Sequence, residues 1–149
     1  MSRDRSAARG LRGLKGLFLV VESIDGSDAL LAMTERLLRE DAEVCLRRAG
    51  LAPVGAGQWL ASTGTPHLYV RVDLAEGPAG GELAGFAVSV QVREQVSLAR
   101  SPGVTMLAPV WTSQRVAAVP RGELPDGIRE SVGVLLDRFA AEYEGANAA

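Results

Sequence analysis

The 149-residue sequence is short of the residue types that carry cross-links and metal sites. It contains one cysteine, Cys45, and one histidine, His67. A single cysteine excludes a disulfide within the chain and leaves the redox compartment open. A metal site needs three or four converging ligands, which one histidine and one cysteine do not supply. We therefore predict no metal and no cofactor, and we interpret Cys45 as a small buried hydrophobic residue on a helix.

Long hydrophobic runs are also missing. No stretch approaches the roughly 18 apolar residues that a membrane-spanning helix requires, so no transmembrane segment is expected. Residues 17–21 (LFLVV) follow a basic start, as in a signal peptide. Five apolar residues are fewer than the roughly 7–15 of a signal h-region, and no cleavage-site pattern follows. We predict a strand here, which leaves a cytoplasmic protein if the chain is complete as given.

Aromatic residues make up only 5% of the chain, so Val, Leu and Ala must build the core. The formal net charge of −2 argues against a dedicated nucleic-acid binder. The charge is uneven, because five basic residues and one acidic residue lie within residues 1–15. We predict a flexible basic arm over residues 1–13, a single domain over residues 14–144 and a disordered tail over residues 145–149.

Residues 66–98 contain the clearest pattern in the chain. Two runs of alternating apolar and polar residues flank a glycine-rich connector, which is typical of a long β-hairpin. The apolar positions are Leu68, Val70, Val72 and Leu74 in the first run, and Phe86, Val88, Val90 and Val92 in the second. This period predicts a sheet with one apolar face and one open, polar face.

Two amphipathic helices accompany the strands. The first ends at Gly50, with Thr34 or the earlier Ser27 as its N-cap, and the second covers about residues 125–144. A short strand is expected near residues 58–61. A bulge near residues 94–95, or a bend of the strand past the edge of the helix layer, is expected because Glu94 interrupts the apolar face. The element order predicts an α+β fold: a two-layer sandwich with a mostly antiparallel sheet of four to five strands and two helices packed on one face.

Catalytic motifs are absent: the sequence has no H-E-x-x-H, paired C-x-x-C, G-x-G-x-x-G or Walker pattern. We interpret His67 as a partly exposed residue at a strand end and predict that the protein is not an enzyme. The alternative is a small enzyme with a site near His67 and Tyr69.

The open sheet face is the one group of residues for which the sequence indicates a function. If Trp111 is in register with the hairpin, this face carries the five predicted partner-binding residues Tyr69, Arg71, Arg93, Trp111 and Arg115. Tyr, Trp and Arg are enriched in binding hot spots, which favours a protein partner. An ordinary solvated face and a weak nucleic-acid binder, stacking bases on the aromatic rings, are the alternatives. The oligomeric state stays open.

Five segments resemble a family of small, mostly uncharacterised bacterial proteins that usually carry an export signal. They are residues 34–51, 65–74, 86–100, 108–119 and 128–143. The element order is similar to that of envelope assembly lipoproteins and the N-terminal domain of TolB, an analogy of fold. The resemblance implies a periplasmic location, although we find no leader or lipidation cysteine near the start. It favours a non-enzymatic binding or assembly module of the bacterial envelope, which presents an open sheet face or a strand edge to a protein partner.

Overall fold

The structure is a computed structural model that describes residues 8–24, 29–53, 65–75 and 81–148. Five strands form one sheet in the order β2-β1-β3-β4-β5. They are β1 (Gly16–Val21), β2 (Ala52–Pro53), β3 (His67–Leu74), β4 (Leu83–Leu98) and β5 (Ser101–Pro120). β1 is parallel to β2 and β3, whereas β3 with β4 and β4 with β5 are antiparallel. The predicted α+β class and mostly antiparallel sheet are confirmed; the strand expected at residues 58–61 lies outside the described residues.

The two helices are α1 (Ala29–Arg48) and α2 (Leu124–Asn147), the second preceded by a 3-10 turn at Arg121–Glu123. The prediction of Thr34 as an N-cap is wrong, because α1 begins earlier and the Thr34 hydroxyl donates to the Leu30 carbonyl at 2.8 Å. Strong helix formers occupy residues 29–33 and extend the helix. Ser27 lies outside the described residues.

Gly50 ends α1 as predicted. Its φ is +80°, the left-handed region that glycine adopts without strain. Its N–H bonds to the Arg47 carbonyl at 3.0 Å, and the N–H of Leu51 bonds to the Leu46 carbonyl at 2.8 Å. These two bonds are the Schellman pattern, which satisfies carbonyl groups at the helix end.

The buried core contains residues of both helices and of one face of the sheet, which we call the covered face. Val70, Val88 and Val90 belong to one buried cluster with Ile128 and Phe139 of α2. All five are at most 1% exposed. The alternation of the hairpin therefore points its apolar side chains at the helices, and burial of each such side chain stabilises the fold by roughly 1.5–3 kcal/mol.

The two ends of the described chain are packed together. A 3-10 turn spans Arg9–Leu11, and Leu11 is fully buried. The Asn147 side chain accepts from the Gly13 N–H at 2.8 Å and donates to the Leu11 carbonyl at 3.0 Å. The Asn147 side chain thus links the C-terminal helix to the N-terminal turn, and the domain boundaries at residues 13 and 145 stay predictions.

β4 and β5 are the longest strands and form a hairpin of their own. Their register shifts between Val92 and Arg93, where Val92 opposes Trp111 and Arg93 opposes Pro109. The extra residue of this bulge is Val110 of β5, opposite the step from Val92 to Arg93, which precedes the predicted position at residues 94–95. Beyond the shift, most side chains of β5 are exposed, whereas most of those of β4 are partly buried.

Candidate functional site

The face of the sheet opposite the covered face is built from cross-strand rows. Tyr69 of β3 opposes Gln91 of β4, which in turn opposes Thr112 of β5. The row before Tyr69 on this face pairs His67 with Arg93. The row after Tyr69 pairs Arg71 with Ser89. Because side chains alternate along a strand, these residues share one face, which we call the open face.

The polar side chains of this face contact one another. The Tyr69 hydroxyl donates to the Glu22 carboxylate. The Arg93 guanidinium lies over the Tyr69 ring, 4.0 Å from its centroid, and its Nε donates to Gln91 Oε1 at 2.8 Å. A cation over an aromatic ring and a second fixed hydrogen bond hold the arginine plane in one orientation.

Arg71 lies beside this pair and is more exposed. Its Nη2 is 3.0 Å from Asp73 Oδ1, and its Nε is 3.8 Å from the Glu22 carboxylate. These side chains are about half exposed, so the ion pairs contribute little to stability. They act mainly by limiting the rotamers of Arg71.

Glu22 changes the charge of the open face from the predicted one. Arg71 and Arg93 are matched by Glu22 and Asp73, so these four charged groups sum to zero. Sequence reasoning missed Glu22 because it follows β1, a parallel neighbour whose register with β3 has no signal in local spacing.

The prediction that Trp111 lies on the open face is wrong. Trp111 opposes Val92 on the covered face and is 3% exposed. Its ring packs edge-on against Phe139 with centroids 5.5 Å apart, and its indole N–H donates to the Glu142 carboxylate at 2.8 Å. A buried Trp needs a partner for that N–H, and α2 provides it.

Ser113 and Arg115 of β5 lie on the same side of the sheet as Trp111. Ser113 is buried and accepts from Arg138 of α2 at 2.9 Å. Arg115 opposes Val88, so it lies on the side of the covered face, where it is exposed at the sheet edge. The structure thus brings together Tyr69, Arg71 and Arg93 of the five predicted partner-binding residues and places Trp111 and Arg115 elsewhere.

His67 is buried rather than partly exposed. Its ring lies edge-on to Phe18 with centroids 5.6 Å apart. Burial lowers the pKa of the imidazole, and the positive charge of Arg93 lowers it further. A cavity of 390 Å³ adjoins Pro66 and is lined by Arg12, Lys15 and Glu94, but His67 does not line it.

Cys45 lies half-buried between the helices. Its thiol donates to the Leu136 carbonyl at 3.5 Å. Burial, and then the negative charge of Asp137, raise the pKa of the thiol, so the unreactive, protonated form predominates. Within the described ranges, no group of three or more His, Cys, Asp or Glu side chains is placed to hold a metal ion.

Comparison with known proteins found no matching family model and no matching curated protein. Two solved structures match this chain at low sequence identity. A minor lipoprotein from Acinetobacter baumannii has 12% identity and a TM-score of 0.45, with 90% of this chain and 93% of that chain covered. A candidate lipoprotein from Caulobacter crescentus has 14% identity and a TM-score of 0.41, with 93% of each chain covered.

Over the residues that the structure describes, neither helix is long and apolar enough to cross a membrane.

Proposed function

We propose that this protein is a non-enzymatic binding or assembly module that presents its open face, or the edge of its sheet, to a protein partner. The observation that carries the proposal is the Tyr69–Arg93 pair, in which a guanidinium is held at 4.0 Å over an aromatic ring. The proposed compartment is the bacterial envelope, on the resemblance of the sequence to exported bacterial proteins.

The proposal includes a two-layer architecture, with both helices on the covered face. Burial of Leu68, Val70 and Val72 in one cluster with residues of α1 and α2 supports it. In this architecture the helices leave the open face to a partner.

Preorganisation is the physical reason for assigning binding to this face. Ordering a free arginine side chain on association costs about 0.5–1.5 kcal/mol. Arg93 is already ordered by the Tyr69 ring and Gln91, and Arg71 by Asp73. A partner that covers this face therefore gains contact area on Tyr and Arg, the residue types of binding hot spots, at reduced entropic cost.

The test is capture of partners by the immobilised protein from an extract of the source organism. We expect the double variant Arg71→Ala/Arg93→Ala to lose partners that the wild type retains. Arg36→Ala/Arg39→Ala is the matched control, because both arginines are exposed on α1 and the same charge is removed.

Circular dichroism of each variant checks that the fold persists. Partners that bind the wild type and the control but not the open-face variant support the proposal. Identical partner sets for all three proteins contradict the use of the open face.

A further inference from the structure

The β4–β5 hairpin extends beyond the rest of the sheet. β3 begins at His67, which opposes Arg93, so among the described strands the later residues of β4 pair with β5 alone. No residue from position 95 to position 109 is buried. We call residues 95–107 the projecting hairpin. From residue 95 to Leu98, where β4 ends, the strand reaches roughly 13 Å.

Apolar side chains lie on both faces of the projecting hairpin. Leu107 opposes Gln95 on the side of the open face, and Met106 opposes Val96 on the side of the covered face. Leu107 and Met106 are 52% and 51% exposed. Val104 lies outside the β4–β5 ladder and is 48% exposed. A docked protein covers one face of a hairpin, whereas a lipid layer surrounds it, so apolar side chains on both faces favour lipid.

The charge of the projecting hairpin is positive. Arg100 is its only charged residue, and the sequence has no acidic residue from position 95 to position 122. The chain as a whole has a formal net charge of −2, so the hairpin differs in sign from the rest. Arg100 lies exposed in the turn at the end of the hairpin, where it can reach an anionic surface first.

Three further basic residues lie at the end of the sheet from which the hairpin projects. β1 and β3 begin at this end, because they are parallel to each other and antiparallel to β4. Arg9, Arg12 and Lys15 precede β1, and all three are exposed. With Arg100 they form no ion pair within the described residues. Their charge is therefore available to a ligand.

Carboxylates at this end do not cancel the positive charge. Glu94 lines the cavity beside β1 with Arg12 and Lys15. Glu144 lines a second cavity, at the end of α2, with Arg48. The two cavities together hold three cations and two carboxylates, a net charge of +1. Basic residues placed this way attract the anionic headgroups of a membrane.

We propose that the projecting hairpin inserts its apolar side chains into the headgroup region of a membrane that contains anionic lipid. Arg100 and the basic residues before β1 bind the lipid phosphates. Interfacial segments bury their apolar side chains roughly 5–10 Å deep, which is within the reach of the hairpin. Insertion stops there, because the outer edge of β5 keeps backbone groups that hydrocarbon cannot satisfy. The inference goes beyond the proposed function, since it assigns a second surface and a different partner.

Flotation of the full chain with vesicles tests the electrostatic part. We expect tighter binding to equimolar phosphatidylglycerol and phosphatidylcholine than to phosphatidylcholine alone. Binding to the anionic vesicles should weaken as salt is added, because salt screens exposed charges. Arg12→Gln/Lys15→Gln should weaken binding and reduce its salt dependence. Arg36→Gln/Arg39→Gln, which removes the same number of exposed charges from α1, is the control.

Met106→Ser/Leu107→Ser tests the apolar part. Both side chains are half exposed, so circular dichroism should show an intact fold. We expect partition onto the anionic vesicles to fall at least about tenfold, because two large apolar side chains no longer leave water on binding. Leu30→Ser/Met33→Ser is the matched control. These residues of α1 are the same two types, 59% and 56% exposed, and this variant should bind as the wild type does.

Tryptophan fluorescence reports insertion directly. In a Trp59→Phe background the remaining tryptophan, Trp111, is buried, so its emission should not change when vesicles are added. Val104→Trp in the same background places a second indole on the projecting hairpin. We expect its emission to shift to shorter wavelength with anionic vesicles, as the ring leaves water.

A wild type that binds neither kind of vesicle overturns the inference, and so does unchanged binding of Met106→Ser/Leu107→Ser. Without vesicle binding, sedimentation of the wild type as an oligomer would assign the projecting hairpin to a second copy. Loss of captured proteins in Met106→Ser/Leu107→Ser would then assign it to a protein partner. None of these results affects the open face, which the Arg71→Ala/Arg93→Ala variant tests.

Discussion

Trp111 and Tyr69 illustrate how position decides the role of a residue type. Both are aromatic residues in extended segments of the sequence. Tyr69 lies on the open face under Arg93, whereas Trp111 is buried against Phe139. The difference of face arises from the register of β5 against β4, which sequence alternation within one strand does not contain.

His67 is the only histidine of the chain, so its imidazole gives one resolvable NMR signal. We expect an NMR titration to show a pKa below the usual 6.5, owing to burial and to Arg93. Arg93→Gln should raise that pKa while leaving it below 6.5, since burial is the larger cause. Arg93→Lys, which keeps the charge, should change it less.

The lowered pKa of His67 also makes the stability of the fold depend on pH. The unfolded chain binds the proton near pH 6.5 and the folded chain only at lower pH, so the unfolded state holds more protons in this window. The free energy of unfolding should therefore fall as the pH drops below about 6.5 and through the folded-state pKa. A wild-type pKa at or above 6.5 would contradict the burial of His67.

Among the elements, the N-terminal 3-10 turn was the hardest to predict. Residues 8–13 have no hydrophobic period, and their order depends on groups far away in sequence. Asn147 bonds to Gly13 and Leu11, and the Tyr143 hydroxyl donates to the Leu14 carbonyl at 3.0 Å. Helix α2, by contrast, was predicted within three residues at each end, because its apolar stripe recurs with the helical period.

The contact of this turn with β5 predicts a difference between two glycines. Gly10→Ala places a Cβ against the Val110 carbonyl and should lower the free energy of unfolding by about 1–3 kcal/mol. Gly133→Ala lies in α2 with nothing within 4 Å of its Cβ, and alanine there should raise stability by up to about 1 kcal/mol. Urea denaturation measures both, and equal effects would contradict the packing of the turn.

For the whole molecule, one buried cluster joins the N-terminal turn, both helices and strands β1, β3, β4 and β5. Leu11, Leu38, Val90 and Phe139 all belong to it. A core shared in this way unfolds as one cooperative unit.

We therefore expect coincident urea transitions by far-ultraviolet circular dichroism and by tryptophan fluorescence. The chain has two tryptophans, so a Trp59→Phe background assigns the fluorescence signal to Trp111. Measurements at low protein concentration keep any association out of the midpoint. Two separated transitions would show that the sheet and the helices are independent units.

Local patterns in the sequence specify the α+β class, the apolar side of the β3–β4 hairpin and the end of α1 at Gly50. These features depend on local period and local backbone preference, which neighbouring residues encode. Only the tertiary structure decided the face on which Trp111 and Arg115 lie, the pairing of Tyr69 with Glu22 and the docking of Leu11. Each of these depends on contacts between segments distant in the chain, where strand register and packing rather than local pattern set which groups meet.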